Sequence, residues 1–320
     1  MDIALDKTIQ SMKDKDFLTL NDYSKQEINR LLNLASDLKQ LQKEDTRPKI
    51  LEGKTLGMIF EKASTRTRVS FEAGIYQLGG SGLFLNTQDI QLGRGETIAD
   101  TAKVLSSYLD GIMIRTYSQS AVEQLAEHAA IPVINGLTDR YHPCQVLADL
   151  LTIKEQKGDL SGLTLTYIGD GNNMAHSLMI GSAKMGMNVH IVSPKEFQPH
   201  SAITDQAQAI AEQNHCSVMV TQDIQKAVRN TDIIYTDVWA SMGQEKEQKE
   251  RSEIFSDYQV NDSLMALANP EAVFMHCLPA HRGEEVTASV IDGEQSVVFE
   301  EAENRLHVQK ALMVALMGSH

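Results

Sequence analysis

The chain is predicted to be an α/β protein of two domains, each a parallel sheet flanked by helices, on three observations. Its 320 residues exceed the size at which a single core usually stops growing, about 250 to 300 residues. Short apolar runs of strand length alternate with stretches of helical spacing, the order that builds parallel sheets wrapped by helices. The alternation occurs twice, on either side of a restart near residue 150.

In the first half, TLGMIF, GLFLN, GIMIRT and IPVING read as short apolar strands. The segments among them, Thr67–Leu78, Thr97–Tyr108 and Ser120–Ala129, carry apolar residues at helical intervals. A helix is expected from about Pro143 to Gln156, after which KGDLSGL restarts the chain. In the second half, LTLTYIG, NVHIVS, SVMVTQ, IIYTDVW, AVFMHC and SVVFEEA read as strands alternating with helical segments. The last stretch, Asn304 to Met317, reads as an amphipathic helix, with Leu306, Gln309, Leu312, Met313 and Leu316 at helical spacing. No low-complexity segment or short-period repeat interrupts this order.

Composition narrows the function. At 42% hydrophobic and 22% charged residues, each half can bury a core. A net charge of −14 argues against general binding of nucleic acid or anionic membranes, because a polyanion is repelled over most of such a surface. Against it, a local cluster of arginines stands out. Cys144, Cys216 and Cys277 are too few and too unpatterned for a disulfide framework or a zinc site, and a reducing cytoplasm is the expected home. The N-terminal residues have no basic start followed by an apolar run, and no stretch approaches about 18 uninterrupted apolar residues, so neither export nor membrane insertion is expected.

The arginine cluster lies in FEKASTRTRVSFE, after the strand TLGMIF. Ser64 and Thr65 stand where N-caps belong, and the backbone N–H groups of the next turn lack intrahelical partners. An anion would satisfy them, and Arg66 and Arg68 add forked donors suited to a phosphate. Three more polar groups follow the C-terminal ends of strands, the edge where open α/β sheets bind ligands. Gln91 lies in QDIQLGRGE after GLFLN, Arg115 follows GIMI, and His142-Pro143-Cys144-Gln145 follows IPVINGLTDRY. Singly, each has a plainer explanation as a surface charge, a helix-start residue or loop polarity; four at one edge are harder to dismiss. Proline at 143 suits a first helical turn, which would hold His142 and Gln145 near the helix N-terminus.

In the second half, GDGNNMAHS resembles a dinucleotide fingerprint but has Met174 where the third glycine belongs, and NVHIVSPKE supplies no acidic residue for a ribose. A nicotinamide cofactor is therefore not expected, and Asn172 and Asn173 have a simple alternative as turn residues. Asp237 ends IIYTDVW, with Ser241-Met242-Gly243 four residues on. A carboxylate that can pair an amino group, beside a turn that can offer backbone donors to a carboxylate, reads as a cradle for an amino acid. Cys277 ends AVFMHC and invites a nucleophile reading. Its chain neighbours His276 and His281 do not by themselves make a triad, so positioning is the expected role.

Taken together, FEKASTRTR, RTY at Arg115, HPCQ, GDGNN, DVWASMGQE and HCLPAHRGEEV resemble the ornithine carbamoyltransferases within the aspartate/ornithine carbamoyltransferase family, in order along nearly the whole chain. The resemblance implies two α/β domains that exchange terminal helices. Residues 1–150, joined by a terminal helix at 304–318, would bind carbamoyl phosphate, and 151–303 would bind ornithine. It implies that Ser64, Thr65, Arg66, Thr67 and Gln91 hold the phosphate and that Arg115, His142 and Gln145 hold the carbamoyl end. Asn173, Asp237, Ser241 and Met242 would bind ornithine, while Cys277, Leu278 and Arg305 complete the site. The chemistry would fall to Arg66, Arg115, His142 and Cys277, without metal or organic cofactor, in a cytoplasmic homotrimer or a multiple of trimers. Gln91 stands where the aspartate enzymes carry a lysine, which with SMG disfavours aspartate. Rival readings are a carbamoyltransferase for putrescine, a non-catalytic carbamoyl phosphate sensor, and a nucleotide-binding oxidoreductase.

Overall fold

The computed structural model describes residues 7–90, 95–240 and 247–318. The chain forms two compact units, Met1–Leu151 with Glu303–His320, and Thr152–Ala302. Both divisions fall inside helices, Pro143–Lys157 and Val298–Met317.

The first unit is built on four parallel strands, β1 (Thr55–Phe60), β2 (Ser81–Asn86), β3 (Gly111–Arg115) and β4 (Val133–Leu137), in the order β2-β1-β3-β4. β3 and β4 are buried throughout, as expected of strands covered on both faces. β2 is an edge strand with Leu83 and Phe84 exposed. One face of the sheet packs Ile59, Ile112, Ile114 and Val133 against Val122 and Leu125 of the helix Gln119–His128. The chain leaves β1 toward β2 on one side and toward β3 on the other, so the strand order reverses between β1 and β3. Phe60 and Arg115 are register partners at that point.

The helix Thr65–Gln77 starts where the sequence places it, with Ser64 as N-cap. Val298–Met317 packs against it at Gly74, where a Cβ would stand 3.0 Å from Met313 and 3.2 Å from Lys310. Glycine permits that approach. A helix not expected from the strand pattern, Lys25–Lys43, buries Ile28, Leu31, Leu32, Ala35 and Leu38 and opens on a capping box between Ser24 and Glu27.

The second unit holds five parallel strands, β5 (Thr164–Ile168), β6 (Asn188–Val192), β7 (Val218–Thr221), β8 (Ile233–Thr236) and β9 (Val273–His276), ordered β7-β6-β5-β8-β9. Its order reverses between β5 and β8, where Ile168 pairs with Thr236. Ile168, Val192, Ile234 and Phe274 form part of its core with Val290 and Ile291.

One expected strand is absent. SVVFEEA makes a single bridge, Ser296 to Phe274, and then becomes the first turns of the helix Val298–Met317, which begins six residues before Asn304. Glu300 and Glu301 lie in that first turn, where the helix dipole favours carboxylates. The buried Glu301 accepts from Tyr235 Oη and from the His276 N–H, each at 3.0 Å. These bonds anchor the run as a helix despite its β-branched start.

Candidate active site

In the first unit the polar groups gather around Thr67. Ser64 Oγ caps the helix by accepting from Thr67 N at 3.2 Å and donates to Thr67 Oγ1 at 3.1 Å. The same hydroxyl oxygen accepts from Arg305 Nη2 at 2.9 Å and from Arg115 Nη1 at 3.4 Å. Arg305 turns its other arm to Gln145 Oε1 at 2.7 Å, and Gln145 Nε2 donates to Asp149 at 2.8 Å. Thr67, Arg115, His142, Gln145 and Arg305 are all buried, Arg66 is half-buried and Thr65 is exposed.

The cluster stands at the C-terminal ends of β1 and β3, where the sheet order reverses and an open α/β sheet leaves a crevice. Burial, reinforced by the charges of Arg305, Arg115 and Arg66, holds His142 well below the usual histidine value. His142 is therefore a neutral imidazole among guanidiniums, a setting built for an anion. Cys144 is poorly suited to be a nucleophile: burial pushes its thiol up to about 12, and Sγ donates to the Asn135 carbonyl at 3.4 Å. Arg68 departs from the expectation. Two residues along a helix is about 200° of rotation, and Arg68 accordingly bonds Glu72 at 3.3 Å and stacks 3.8 Å over the Phe84 ring.

Sequence reasoning missed the groups that hold these loops together. Lys62 Nζ donates to Asp139 at 2.5 Å and lies 4.1 Å over the Tyr117 ring, tying the segments after β1, β3 and β4 to one another. Thr116 Oγ1 donates to the Glu61 carboxylate in the same layer.

The second unit shows a parallel arrangement at its own reversal point, between β5 and β8. Asn172 caps the helix Asn173–Met185 by accepting from Met174 N at 2.9 Å, and its Nδ2 donates to Asp237 Oδ2 at 3.1 Å. Asp237 Oδ1 accepts from Val238 N at 2.8 Å and from Cys277 Sγ at 3.1 Å. Asn173 opens the helix beside them. Asp170 bonds Arg251 at 2.7 Å, and Arg251 also donates to the Trp239 carbonyl at 2.9 Å, fixing the chain two residues before Ser241. Gln91, Ser241 and Met242 lie outside the described residues.

A nucleotide does not fit the GDGNN turn. A Cβ on Gly171 would stand 2.2 Å from Pro199 N, so protein backbone already occupies the approach a pyrophosphate would need, and Met174 is buried where the third glycine would stand. His276, the neighbouring imidazole, is not turned to serve Cys277 as a base. His276 Nδ1 accepts from Leu278 N at 2.9 Å and its Nε2 lies 3.1 Å from Glu285 Oε1. The proton therefore sits on Nε2, and both ring nitrogens are engaged away from the thiol. Leu278, with φ of 56°, makes the turn that follows.

Sheets, reversal points and these clusters define an α/β protein with a polar cluster at the reversal point of each sheet, and comparison with known proteins gives it a family. Residues 15–155 match the carbamoyl-P binding domain, and residues 161–316 the Asp/Orn binding domain, of aspartate/ornithine carbamoyltransferase. The chain belongs to the aspartate/ornithine carbamoyltransferase family. It is 65% identical over 309 residues to the ornithine carbamoyltransferase of Oceanobacillus iheyensis, covering 97% of this chain and 96% of that one. It is 60% identical over 310 residues to the Bacillus subtilis protein of the same name, again covering 97% and 96%. The solved ornithine carbamoyltransferase of Pyrococcus furiosus superposes with a TM-score of 0.94 at 53% identity, covering 97% of this chain and 99% of its own.

Proposed function

We propose that the chain transfers the carbamoyl group of carbamoyl phosphate to the δ-amine of L-ornithine, giving L-citrulline and phosphate. The observation that carries the reading is the convergence of Arg66, Arg115 and Arg305 on a neutral His142 beside the capped turn Ser64–Thr67, at the reversal point of the first sheet. Ser64, Thr65, Arg66 and Thr67 hold the phosphate, with Gln91 joining them. Arg115, His142 and Thr67 donate to the carbonyl oxygen as it gains charge, each such donor typically worth about 3 kcal/mol in the transition state. Gln145 orients Arg305, and Arg66 stabilises the departing phosphate.

On the ornithine side, Asp237 and Asn173, with Ser241 and Met242, hold the amino acid. Cys277 donates to Asp237 and positions it; Leu278 fixes the adjoining turn. The attacking amine must be neutral, although a free alkyl amine has a pKa of roughly 10, so the site takes up the uncharged minority or releases a proton on binding. Attack forms the C–N bond, the C–O bond to phosphate breaks, and the amine's proton leaves with the phosphate. No step calls for a metal or an organic cofactor.

The active assembly is a homotrimer or a multiple of it, and the protein works in the cytoplasm. A second copy has an apolar surface to cover: Val69, Tyr76, Leu83 and Phe84 are exposed on the helix Thr65–Gln77 and edge strand β2. No described helix is long and apolar enough to cross a membrane. The test is product formation with ornithine, putrescine and aspartate offered in parallel. Citrulline from ornithine, with the other two at background, supports the reading; carbamoylation of putrescine at a comparable kcat/KM overturns it in favour of a different amine.

A further inference from the structure

A second group of metal-ligating side chains lies on the turn that follows β9, apart from Asp237 and Cys277. His281, Glu284 and Glu285 each offer one ligand atom, and these atoms lie within 4.8 Å of one another. His281 Nδ1 is 3.7 Å from Glu285 Oε2 and 4.0 Å from Glu284 Oε2. Bonds of about 2.0 to 2.2 Å from a common zinc ion to nitrogen and oxygen place such ligand atoms roughly 3 to 4 Å apart.

Glu285 makes this more than a surface cluster. It is completely buried, and its Oε1 is used, accepting from His281 N at 2.6 Å and from His276 Nε2 at 3.1 Å. Its Oε2 is also buried, has no hydrogen-bond partner among the described residues, and lies 3.7 Å from His281 Nδ1. A buried carboxylate oxygen left without a hydrogen-bond partner is costly, and a cation on its open side relieves it.

We propose that His281, Glu284 and Glu285 bind a divalent transition ion of borderline softness, with Zn²⁺ as the type, and water in the remaining positions. One imidazole with two carboxylates suits such an ion better than Mg²⁺ or Ca²⁺, which prefer oxygen alone. The side chains of His281 and Glu284 are 46% and 38% exposed, which leaves a path for entry and room for water. The neighbouring trio Asp237, His276 and Cys277 is a poorer candidate, since both nitrogens of His276 are committed to Leu278 and Glu285. Glu285 is also the acceptor that orients His276, and His276 holds the Leu278 N–H, so an ion here is coupled to the Cys277–Leu278 turn. An effect of the ion on the KM for ornithine rests on the proposed function; the site itself does not.

The test uses the whole chain, stripped with a chelator and desalted. Zn²⁺ binding is followed by calorimetry, and Co²⁺ binding by its visible absorption, in the wild type and in His281→Gln, Glu284→Gln and Cys277→Ser. The two exposed substitutions avoid the risk that Glu285→Gln unfolds the turn. Expected are one ion per chain, no near-ultraviolet thiolate charge-transfer band, affinity reduced about tenfold or more in His281→Gln and in Glu284→Gln, and wild-type binding in Cys277→Ser. The proposal is overturned if neither ion binds, or if both substitutions leave affinity unchanged. It is equally overturned if binding is lost in Cys277→Ser and a thiolate band is present, which assigns the ion to Asp237 and Cys277.

Discussion

The guanidinium of Arg305 donates to the hydroxyl of Thr67 at 2.9 Å although 238 positions separate them in the chain. The terminal helix makes this contact possible by packing on Gly74, two turns along the same helical face from Thr67. Arg305 spans two acceptors, Thr67 Oγ1 and Gln145 Oε1, with two nitrogens of one planar group. An ammonium is a point charge and cannot reproduce that fork. Arg305→Lys is expected to lose about 1.5 to 3 kcal/mol, roughly ten- to hundredfold in kcat/KM for carbamoyl phosphate, while circular dichroism shows the fold intact. Kinetics equal to wild type would remove Arg305 from the site.

Cys277 tests whether transfer passes through the enzyme. Its thiol donates to Asp237 at 3.1 Å, a bond a serine hydroxyl can also make. Cys277→Ser should therefore retain measurable turnover and chiefly raise the KM for ornithine. Mass spectrometry of the wild type during turnover should find no carbamoylated protein; an adduct trapped on Cys277 would show it to be a nucleophile.

Much of this arrangement was legible in the residues. The strands were readable because parallel strands buried on both faces are continuous apolar runs, and Ser64 and Pro143 announce helix starts by their own chemistry. The reversal points could not be read, because strand order is set by pairings between distant segments. SVVFEEA reads as a strand because Val297, Val298 and Phe299 favour one locally. Its helix is secured by Glu301 bonding Tyr235 and His276, contacts that no local pattern reveals. The helix Lys25–Lys43 did have a signal, the Ser24…Glu27 capping box followed by apolar residues at helical spacing. Lys62, Asp139 and Tyr117 brace the first cluster without any motif, being drawn from three separate loops.

His307 predicts how stability responds to acid. Burial, opposed by the neighbouring Glu303, brings it from the ordinary 6.5 down to about 4. Between pH 6.5 and about 4 the unfolded chain binds a proton there that the folded chain does not, so its contribution to stability falls as pH is lowered through that window. The slope is about 1.4 kcal/mol per pH unit for one proton. Urea unfolding of His307→Gln at pH 7, 6 and 5 should show a shallower loss than the wild type by close to that amount. Identical slopes would mean that His307 takes up its proton equally in both states.

The proposed trimer carries its own test. If Gln91 reaches the phosphate bound by a neighbouring copy, Arg66→Ala and Gln91→Ala are each inactive but complement one another. Denatured together in equal amounts and refolded, about three-quarters of trimers are mixed, each with one intact pairing, so about a quarter of all sites should be native. Activity near that fraction supports a shared site. A mixture as inactive as its parents, with mixed trimers shown to form, contradicts it.

Direct transfer from carbamoyl phosphate to ornithine is tested most directly by rapid-quench measurement of phosphate release. With both substrates present, phosphate and citrulline should appear one for one from the first turnover. With ornithine omitted, no stoichiometric burst of phosphate should be seen, because neither Cys277 nor any other group accepts the carbamoyl group in the meantime. A burst equal to the enzyme concentration in the absence of ornithine, or phosphate released without matching citrulline, would contradict the account.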